Sequence, residues 1–357
     1  MSEPTTSAQP TPDEERGRYR ALVWRRQLIL IGLGLALLFS LCVDLALGPA
    51  RYSLGEVVQA LFAPGSVTQQ VRVVVWEIRM PVALMAVVVG AALSVAGAQM
   101  QTILNNPLAS PFTLGISAAA SFGAALALAF GVVLIPAAID YVVPLNAFVM
   151  AMLAAFLIHL LSVKRGVTVE TIVLLGIALV FTFNALLALV QYLSSAQALA
   201  AVVFWTMGSL TKATWPKLAI TTLALFVTLP VFARRAWALT ALRLGESKAA
   251  SFGVKVTRLR LETMMMVSLL AAIPVAFVGT IGFIGLVGPH IARMVIGEDQ
   301  RFFLPASALA GALILSASSV VSKSLVSGTI FPIGVVTSLI GIPFFVSLIL
   351  SNARRSW

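Results

Sequence analysis

Residues 90–120 read GAALSVAGAQMQTILNNPLASPFTLGISAAA, and this stretch decides how the chain folds. An apolar helix in its first half carries small residues every three or four positions: Ala86, Gly90, Ser94 and Gly97. That spacing puts them on one face, where a neighbouring helix can approach closely. The helix then breaks at Asn106 and Pro107. Because backbone polar groups in lipid need partners, a break at membrane depth is buried in protein or lines a wet cavity.

The composition is that of an all-α polytopic membrane protein. Of the 357 residues, 60% are hydrophobic and 10% are charged, and the mean hydropathy is +1.02. A soluble chain of this length could not cover its surface with so few polar groups. A hydrocarbon core about 30 Å thick needs roughly 20 apolar residues per helix, so the chain has room for about ten spans.

The apolar runs predict ten transmembrane helices, at about residues 28–48, 81–102, 115–135, 142–162, 171–191, 215–232, 261–278, 279–297, 304–322 and 332–350. Residues 1–27 are polar and are predicted to form a disordered cytoplasmic tail. Residues 28–351 form one transmembrane domain, in which 49–79 is a loop with a short amphipathic helix and 234–260 is the longest internal polar stretch. Residues 352–357 are a basic C-terminal tail.

The net charge of +11 is explained by membrane topology and does not indicate a nucleic-acid partner. With ten spans, six of the 24 lysines and arginines fall on the side opposite the N-terminus: Arg51, Arg72, Arg79, Lys212, Lys217 and Lys323. All the others fall on the side of the tail. Both termini are therefore predicted to be cytoplasmic.

Motifs for an energy source or for catalysis are missing from the sequence. It contains no G-x-x-x-x-G-K-[ST] phosphate-binding loop and no cluster with metal-ligand spacing, and the single Cys42 excludes an intramolecular disulfide. The acidic residues in or near the apolar runs all fall at helix ends: Asp44, Asp140 and Glu262. Ion-coupled carriers, in contrast, usually bury acidic residues within the membrane as proton or ion relays. We expect a chain that provides a path, without catalytic residues, metal or cofactor.

The polar stretch 239–254 would form a short amphipathic helix, with Leu242, Ala249 and Phe252 opposite Arg243, Glu246 and Lys248. Such a helix, flanked by glycines and located in the cytoplasm, would suit docking into a soluble partner. The equally favoured alternative is that this stretch is an ordinary solvated loop.

Four polar residues lie within the predicted helices, and their expected roles differ. Asn184 and Gln191, seven residues apart, share a face that either lines a path or bonds to another helix. His290 follows Pro289 near a helix break and is expected to be a packing residue. Arg293 is expected to snorkel toward the cytoplasm.

At this point the sequence resembles a known family, the iron-siderophore/cobalamin (FecCD/BtuC-like) permeases of type II ABC importers. The matching motifs are collinear over roughly residues 28–350: GAQMQ at 97–101, NPLASP at 106–111, WTMGSL at 205–210, LG at 244–245 with Ala249 and Gly253, GFIGLVGPHIAR at 282–293, PIGVVT at 332–337 and GIPFF at 341–345.

The resemblance implies two permease subunits in the bilayer of the bacterial inner membrane, two cytoplasmic ATPases that bind ATP, and an extracytoplasmic substrate-binding protein. It implies a coupling element that inserts into the ATPase: Leu244, Gly245, Glu246, Ala249 and Gly253. It implies a cytoplasmic gate at Asn106, Pro107 and Leu108, and a path past Asn184 and Gln191. Arg79 and Lys323 occupy positions that meet acidic groups of the binding protein, and would project at the external surface.

Four positions depart from the family pattern. Val82 replaces a basic residue, Ser319 and Lys323 replace an Asp and an Arg, and Ile330 replaces a Glu. An external ion-pair network is therefore predicted to be absent, and a heterodimer is expected, with a homodimer as the alternative. The expected substrate is a ferric siderophore or a similar metal chelate, with haem and cobalamin open; an ion-coupled secondary transporter is the rival of another class.

Overall fold

The computed structural model describes residues 11–48, 52–136, 138–165, 168–326 and 328–353. The described residues are 82% helical and form no strand. The helices are α1 (Pro12–Ala46), α2 (Leu54–Phe62), α3 (Gln69–Val73), α4 (Met80–Ile103), α5 (Ile116–Phe130), α6 (Ile139–Arg165), α7 (Val169–Leu193), α8 (Ala196–Thr206), α9 (Trp215–Arg234), α10 (Ala236–Leu242), α11 (Glu246–Ser251), α12 (Val256–Val278), α13 (Ile284–Ile296), α14 (Gln300–Ser324) and α15 (Ile333–Ala353). A π-helix at Val74–Arg79 joins α3 to α4, and a 3₁₀ helix at Pro111–Leu114 precedes α5.

Seven helical segments of the described chain are long and apolar enough to cross a membrane. They lie in α1, in the continuous segment from α3 to α4, and in α6, α7, α9, α12 and α14. Four further apolar stretches of 10–17 residues are shorter than a full span: Ile116–Phe130, Ala196–Thr206, Ile284–Ile296 and Ile333–Ser347. Each of the ten predicted spans overlaps one of these helices, and α8 is an additional short helix that the sequence analysis did not predict.

Helix α4 is the central element of the bundle and packs against α14, α13, α12 and α9. Its small face allows this close approach. A Cβ atom at Gly97 would lie 1.8 Å from the carbonyl oxygen of Gly285, and one at Gly90 would lie 2.4 Å from that of Gly311. Between them, the Ser94 hydroxyl donates to the carbonyl of Ser307 at 2.5 Å. The small-residue face predicted from the spacing is confirmed.

Replacing Gly97 by alanine is expected to destabilise the chain, because the added methyl group forces α4 away from the backbone of α13. Overpacking of this kind typically costs about 1–3 kcal/mol. Gly32→Ala is the matched control, since a Cβ there meets nothing within 4 Å. Thermal unfolding of the purified chain in detergent should show a lowered midpoint for Gly97→Ala alone. Equal midpoints for the two variants would contradict the packing.

The N-terminal boundary differs from the prediction. Helix α1 begins at Pro12 and is closed by a capping box in which Thr11 and Glu14 bond to each other's backbone. The predicted disorder is therefore wrong for residues 12–27, and residues 1–10 lie outside the described residues. Residues 354–357 of the basic C-terminal tail also lie outside them.

The predicted loop 49–79 is largely helical. Its amphipathic segment forms α2, started by a capping box between Ser53 and Glu56, with Val57 and Ala60 buried. From Gln69 the chain is continuously helical to Ile103, because α3, the π-helix and α4 follow without interruption. The second predicted span is therefore lengthened by about three turns at its start.

The helix ends define two faces of the bundle. At one face the start of α1 meets the start of α14, where Arg26 contacts Asp299 at 3.4 Å. The end of α4 lies there as well, since Gln300 donates to the Thr102 hydroxyl at 2.9 Å. We call this the hub end. The opposite face, where α1 and α14 end, is called the far end.

Candidate functional site

The break after α4 is a compact turn at the hub end. Asn105 adopts a positive φ of 45°, a conformation that asparagine tolerates better than most residues. The Asn106 side-chain carbonyl accepts a hydrogen bond from the Leu108 backbone NH at 2.9 Å, which closes an Asx turn. Pro107 and Leu108 are exposed, and Leu108 keeps 51% of its accessible surface. The predicted gate residues thus form one turn at the hub end.

Buried polar side chains hold the last turns of α4 in place. Gln101 accepts a hydrogen bond from the Arg293 guanidinium of α13 at 2.8 Å. Gln99 donates to the side-chain carbonyl of Gln300 at 2.9 Å, and Gln300 in turn donates to Thr102. Because unpaired polar groups at this depth are costly, these bonds fix α4 against α13 and α14.

The predicted coupling segment consists of two short helices. Helix α10 ends at Leu242, and Gly245, with a φ of 105°, allows the chain to turn into α11. A single amphipathic helix over 239–254 is therefore wrong. Leu242 and Ala249 are buried as expected, but Phe252 is exposed, because the break changes the orientation of the second helix. Leu244 is also exposed at the turn.

Arg243 joins the coupling segment to the break. Its guanidinium donates to the Asn105 side-chain carbonyl at 2.9 Å and pairs with both carboxylate oxygens of Glu298. Glu298, between α13 and α14, also lies 3.1 Å from the Arg293 guanidinium. One carboxylate therefore links the coupling segment to α13, and through Arg293 to the Gln101 side chain of α4.

Arg260 of α12 makes a second connection. Its side chain is 2% exposed, and it donates to the carbonyl of Ile103 at 3.1 Å and to the Glu246 carboxylate at 2.5 Å. Ile103 is the last residue of α4, and Glu246 is the first of α11. We call the set Arg243, Arg260, Arg293, Glu246 and Glu298 the arginine hub. It connects both halves of the coupling segment to the end of the broken helix.

Asp299 follows Glu298 in the sequence and is the N-cap residue of α14. Its carboxylate accepts two hydrogen bonds from the Arg301 guanidinium, at 2.8 and 3.1 Å. These bonds, assisted by the charge of Arg26 and opposed by partial burial, hold the pKa of Asp299 below its ordinary value. The carboxylate is therefore ionised at neutral pH, and it anchors α1 through Arg26.

At the far end, the prediction that Arg79 and Lys323 project from the surface is wrong. Arg79 is 5% exposed, and its guanidinium donates to the carbonyls of Leu45 and Ala46, each at 2.9 Å. It satisfies carbonyls at the end of α1, a role that cations fill well. The Lys323 side chain is 6% exposed and lies against α1.

Lys323 forms a buried ion pair with Asp44, at 2.9 Å, and the Asp44 side chain is fully buried. Ser319 donates to the second carboxylate oxygen of Asp44 at 3.1 Å. This pair is buried, so it is distinct from the external ion-pair network that is predicted to be absent. The acid is supplied by α1, and Ser319, which replaces the family's Asp, bonds to it.

Comparison with known proteins identifies the family. The model of the FecCD transport family matches residues 36–351. The chain belongs to the FecCD transport family. It is similar to a Methanocaldococcus jannaschii protein named as an ABC transporter permease, at 39% identity over 92% of this chain and 94% of that protein. It is also similar to the hemin transport system permease protein of Yersinia pestis, at 36% identity over 79% of this chain and 84% of that protein.

A solved structure supports the same assignment. A structure described as an inward-facing conformation of a metal-chelate type ABC transporter matches with a TM-score of 0.80 and 31% identity, over 91% of this chain and 99% of that chain. Relatives named as vitamin B12, molybdate and iron chelatin permeases also match. These relatives are transport permeases and not enzymes. The resemblance is confirmed: the chain is a multi-pass membrane permease of the ABC importer class.

Two of the motifs that identify this FecCD permease meet at the far end, beside the end of α12. The Ser209 NH donates to the carbonyl of Val278 at 2.7 Å, and the Gly334 NH donates to that of Met207 at 3.0 Å. A Cβ at Gly208 would lie 2.4 Å from the Thr280 carbonyl oxygen, so only glycine fits there. The WTMGSL segment is thus bonded to the PIG segment and to the end of α12, and these three elements border a cavity of about 430 Å³.

The remaining predicted residues of the FecCD permease lie away from the arginine hub. Asn184 is exposed and Gln191 is half-buried on α7. Two turns before Asn184, Gly176 of α7 lies against Thr113 and Leu114 of the 3₁₀ helix that follows the break. Pro289 is buried inside α13. The His290 ring lies edge-on to Phe344, with centroids 6.2 Å apart, which is a packing contact.

The sequence analysis did not identify Glu298, Arg260 or the pairing role of Arg243 as parts of a site. The hub joins residues far apart in the sequence, such as Arg293 and Gln101, whose numbers differ by 192. A signal was nevertheless present. Gln99, Gln101 and Thr102 are polar residues in an apolar helix, and each needs a partner from another helix.

Proposed function

We propose that this chain is the permease subunit of an ATP-driven importer that carries a ferric siderophore, or a similar metal chelate, into the cytoplasm. The hydrogen bond from Arg243 of the coupling segment to Asn105 of the helix break carries this proposal. It links the surface on which a cytoplasmic partner would act to the turn that would close the path. Membership of the FecCD transport family supports the same assignment.

In this proposal two ATPase subunits bind ATP and dock on the coupling segment from the cytoplasm. Three exposed apolar side chains there suit a groove in such a partner: Trp237, Leu244 and Phe252. Movement of the segment would shift Arg243 and Glu246, and with them the end of α4. The Asn106–Leu108 turn would then open and close the path. The arrangement requires the hub end to be cytoplasmic, with ten spans and both termini on that side.

A substrate-binding protein would deliver the chelate at the far end. Because Arg79 and Lys323 are buried, its acidic groups would meet the exposed cations Arg72 and Lys212. These two lie on neighbouring elements, since the Trp215 indole donates to the carbonyl of Trp76 at 3.1 Å.

A second permease subunit would cover helices that the described chain leaves largely exposed. Phe181, Asn184 and Tyr192 of α7 are exposed, as is Leu339 of α15. The polar Asn184 on this face would line a path between the subunits. We propose a heterodimer in the bacterial inner membrane, with a homodimer as the alternative composition.

The substrate class is inferred from what the named relatives have in common. Haem and vitamin B12 are metal chelates, and the solved structure is described as metal-chelate type. The relative named for molybdate differs, since its substrate is an oxyanion. The cavity at the far end is bordered mostly by apolar and weakly polar residues, together with Lys212, which suits a bulky chelate.

Reconstituted uptake tests the proposed function. Proteoliposomes containing the chain, its second permease subunit, the ATPase and the binding protein are supplied with a ferric siderophore, haem, cobalamin or molybdate. ATP is expected to drive accumulation of the ferric siderophore above the other three. Uptake by the permease alone under an ion gradient would instead establish a secondary transporter. Preference for haem, cobalamin or molybdate would overturn the substrate and keep the importer.

A further inference from the structure

A second break in the helices lies between α12 and α13, at residues 279–283. Its first residues are held against the end of α8. The Thr280 hydroxyl donates to the Thr206 carbonyl, and a Cβ atom at Gly279 would lie 2.3 Å from the Trp205 carbonyl oxygen. Gly279 and Trp205 also border the far-end cavity, so the start of this break is part of the cavity wall.

Phe283, the last residue of the break, has a strained backbone. Its φ is 67° and its ψ is −29°, and the Ile284 NH donates to the Gly282 carbonyl at 2.8 Å. A hydrogen bond that encloses a single residue with positive φ forms a γ-turn that is rare and strained. Among the described residues, Asn105 is the only other non-glycine residue with a positive φ. Asparagine tolerates this conformation, whereas a bulky residue in it is a genuine outlier.

Packing against α15 holds Phe283 in this conformation. A Cβ atom at Gly341 would lie 2.5 Å from the Phe283 Cβ and 2.6 Å from its Cγ, so the two helices approach to a distance that only glycine allows. About one turn further along α15, Phe344 meets the His290 ring of α13. Strained backbone persists only where the surrounding structure over-determines it. The strain at Phe283 therefore depends on the contact between α13 and α15.

Helix α13 connects this turn to the arginine hub. It begins directly after Phe283, and its last turn carries Arg293, which bonds to Gln101 and lies beside Glu298. A helix of 13 residues, about 20 Å long, thus joins the strained turn to the hub. A change of orientation between α13 and the cavity wall would be absorbed at the residue between them, which is Phe283.

We propose that the turn at Phe283 is a strained latch between α13 and α15. It stores backbone free energy in this conformation and releases it when α15 moves away from α13 during transport. Relaxation of Phe283 to a negative φ redirects its side chain, and the close contact with Gly341 leaves no room for that until α15 has moved. Strain of this kind typically biases a two-state equilibrium by about 5- to 150-fold. The movement during transport rests on the proposed function, whereas the strain does not.

Two substitutions at Phe283 separate the strain from the loss of the ring. Phe283→Ala and Phe283→Gly both remove the ring, but only glycine adopts a positive φ without steric cost. In detergent, the full chain with Phe283→Gly should therefore unfold at a midpoint about 2 °C or more above that with Phe283→Ala. At an unstrained helix start the order is reversed, so Ala196→Gly, at the exposed start of α8, should lower the midpoint.

Uptake by the same variants tests whether transport uses the strain. In the reconstituted importer, Phe283→Ala keeps the strained turn and should transport at least about fivefold faster than Phe283→Gly, although it is the less stable of the two. Binding of the ATPase should be equal for both variants. A purely structural role predicts the opposite order, because transport would then follow stability.

Gly341 provides the control for the contact between the two helices. Gly341→Ala should lower the unfolding midpoint of the wild-type chain, because its Cβ meets the Phe283 side chain. It should have a much smaller effect when combined with Phe283→Gly, which removes the atoms that this Cβ meets. Equal effects in the two backgrounds would overturn the latch between α13 and α15.

Two further results would overturn the proposal. A midpoint for Phe283→Gly at or below that for Phe283→Ala would mean that the turn stores no strain. A higher midpoint with transport as fast as that of Phe283→Ala would mean that transport does not use the strain. Failure of the proposed function is distinguishable from both, since the wild-type importer would then take up no chelate with ATP while the order of the midpoints stayed the same.

Discussion

The Arg243→Gln variant is expected to lose at least about tenfold of ATP-driven uptake while the ATPase stays bound and hydrolyses ATP. Arg243 contacts both the Asn105 side chain and the Glu298 carboxylate, so its loss disconnects α10 from the helix break. Coupling between distant sites is typically about 1–3 kcal/mol, which corresponds to about 5- to 150-fold. Uptake and hydrolysis measured together on the reconstituted complex give the ratio that reports coupling.

The controls for this variant come from the same surface. Arg258→Gln removes an exposed arginine whose partner, Glu262, also pairs with Arg235, and it should leave uptake within about twofold. Arg243→Lys keeps the charge but cannot bridge Asn105 and Glu298 with one planar group, so it should remain largely uncoupled. Wild-type uptake by Arg243→Gln would show that the hub does not transmit the motion.

The glutamate in the middle of the hub gives an independent check. Glu298→Gln leaves Arg243 and Arg293 close together without their shared carboxylate, and should uncouple transport in the same way. If the two residues act through one contact, the double variant should be little worse than either single variant. Additive losses would mean that they act separately.

Much of the fold followed from the sequence because bilayer physics restricts the alternatives. Apolar runs longer than a hydrocarbon core predict helices, and each predicted span overlaps one. The close contacts of Gly90 and Gly97 followed from spacing alone, since a small face has little other use in a buried helix. The helical start at Pro12 did not follow, because polar composition predicted disorder and the contact of Arg26 with α14 is not visible in the sequence.

The site was predicted in part, and the missing part consists of long-range pairs. The break at Asn106 and Pro107 and the turn at Gly245 are local features, fixed by proline, glycine and asparagine. The partner of Arg243 is 55 residues away, and that of Lys323 is 279 residues away. A charge near a helix end is equally consistent with snorkelling and with burial, so Arg79 and Lys323 were placed at the surface.

Removing either member of the Asp44–Lys323 pair is expected to be strongly destabilising. Both side chains are almost entirely buried, and the survivor would be an uncompensated charge beside α1 and α14. Breaking a buried pair in this way typically costs about 3–5 kcal/mol. Asp44→Asn and Lys323→Met should therefore each lower the stability of the purified chain markedly, as measured by unfolding in detergent.

The double variant distinguishes the energy of the ion pair from the cost of burying each charge alone. Asp44→Asn with Lys323→Met leaves no charge, and replacing a whole buried pair by neutral groups is often close to neutral, so much of the lost stability should return. The exposed Arg258–Glu262 pair is the comparison, and removing it should cost only about 0.2–0.5 kcal/mol. If the single variants lost as little stability as the exposed pair does, the burial of Lys323 would be contradicted. Lys323 would then again be a candidate cation for contact with the binding protein. If the double-mutant cycle instead gives a large coupling energy, Lys323 is occupied by Asp44. The exposed Arg72 and Lys212 would then be the proposed docking cations at the far end.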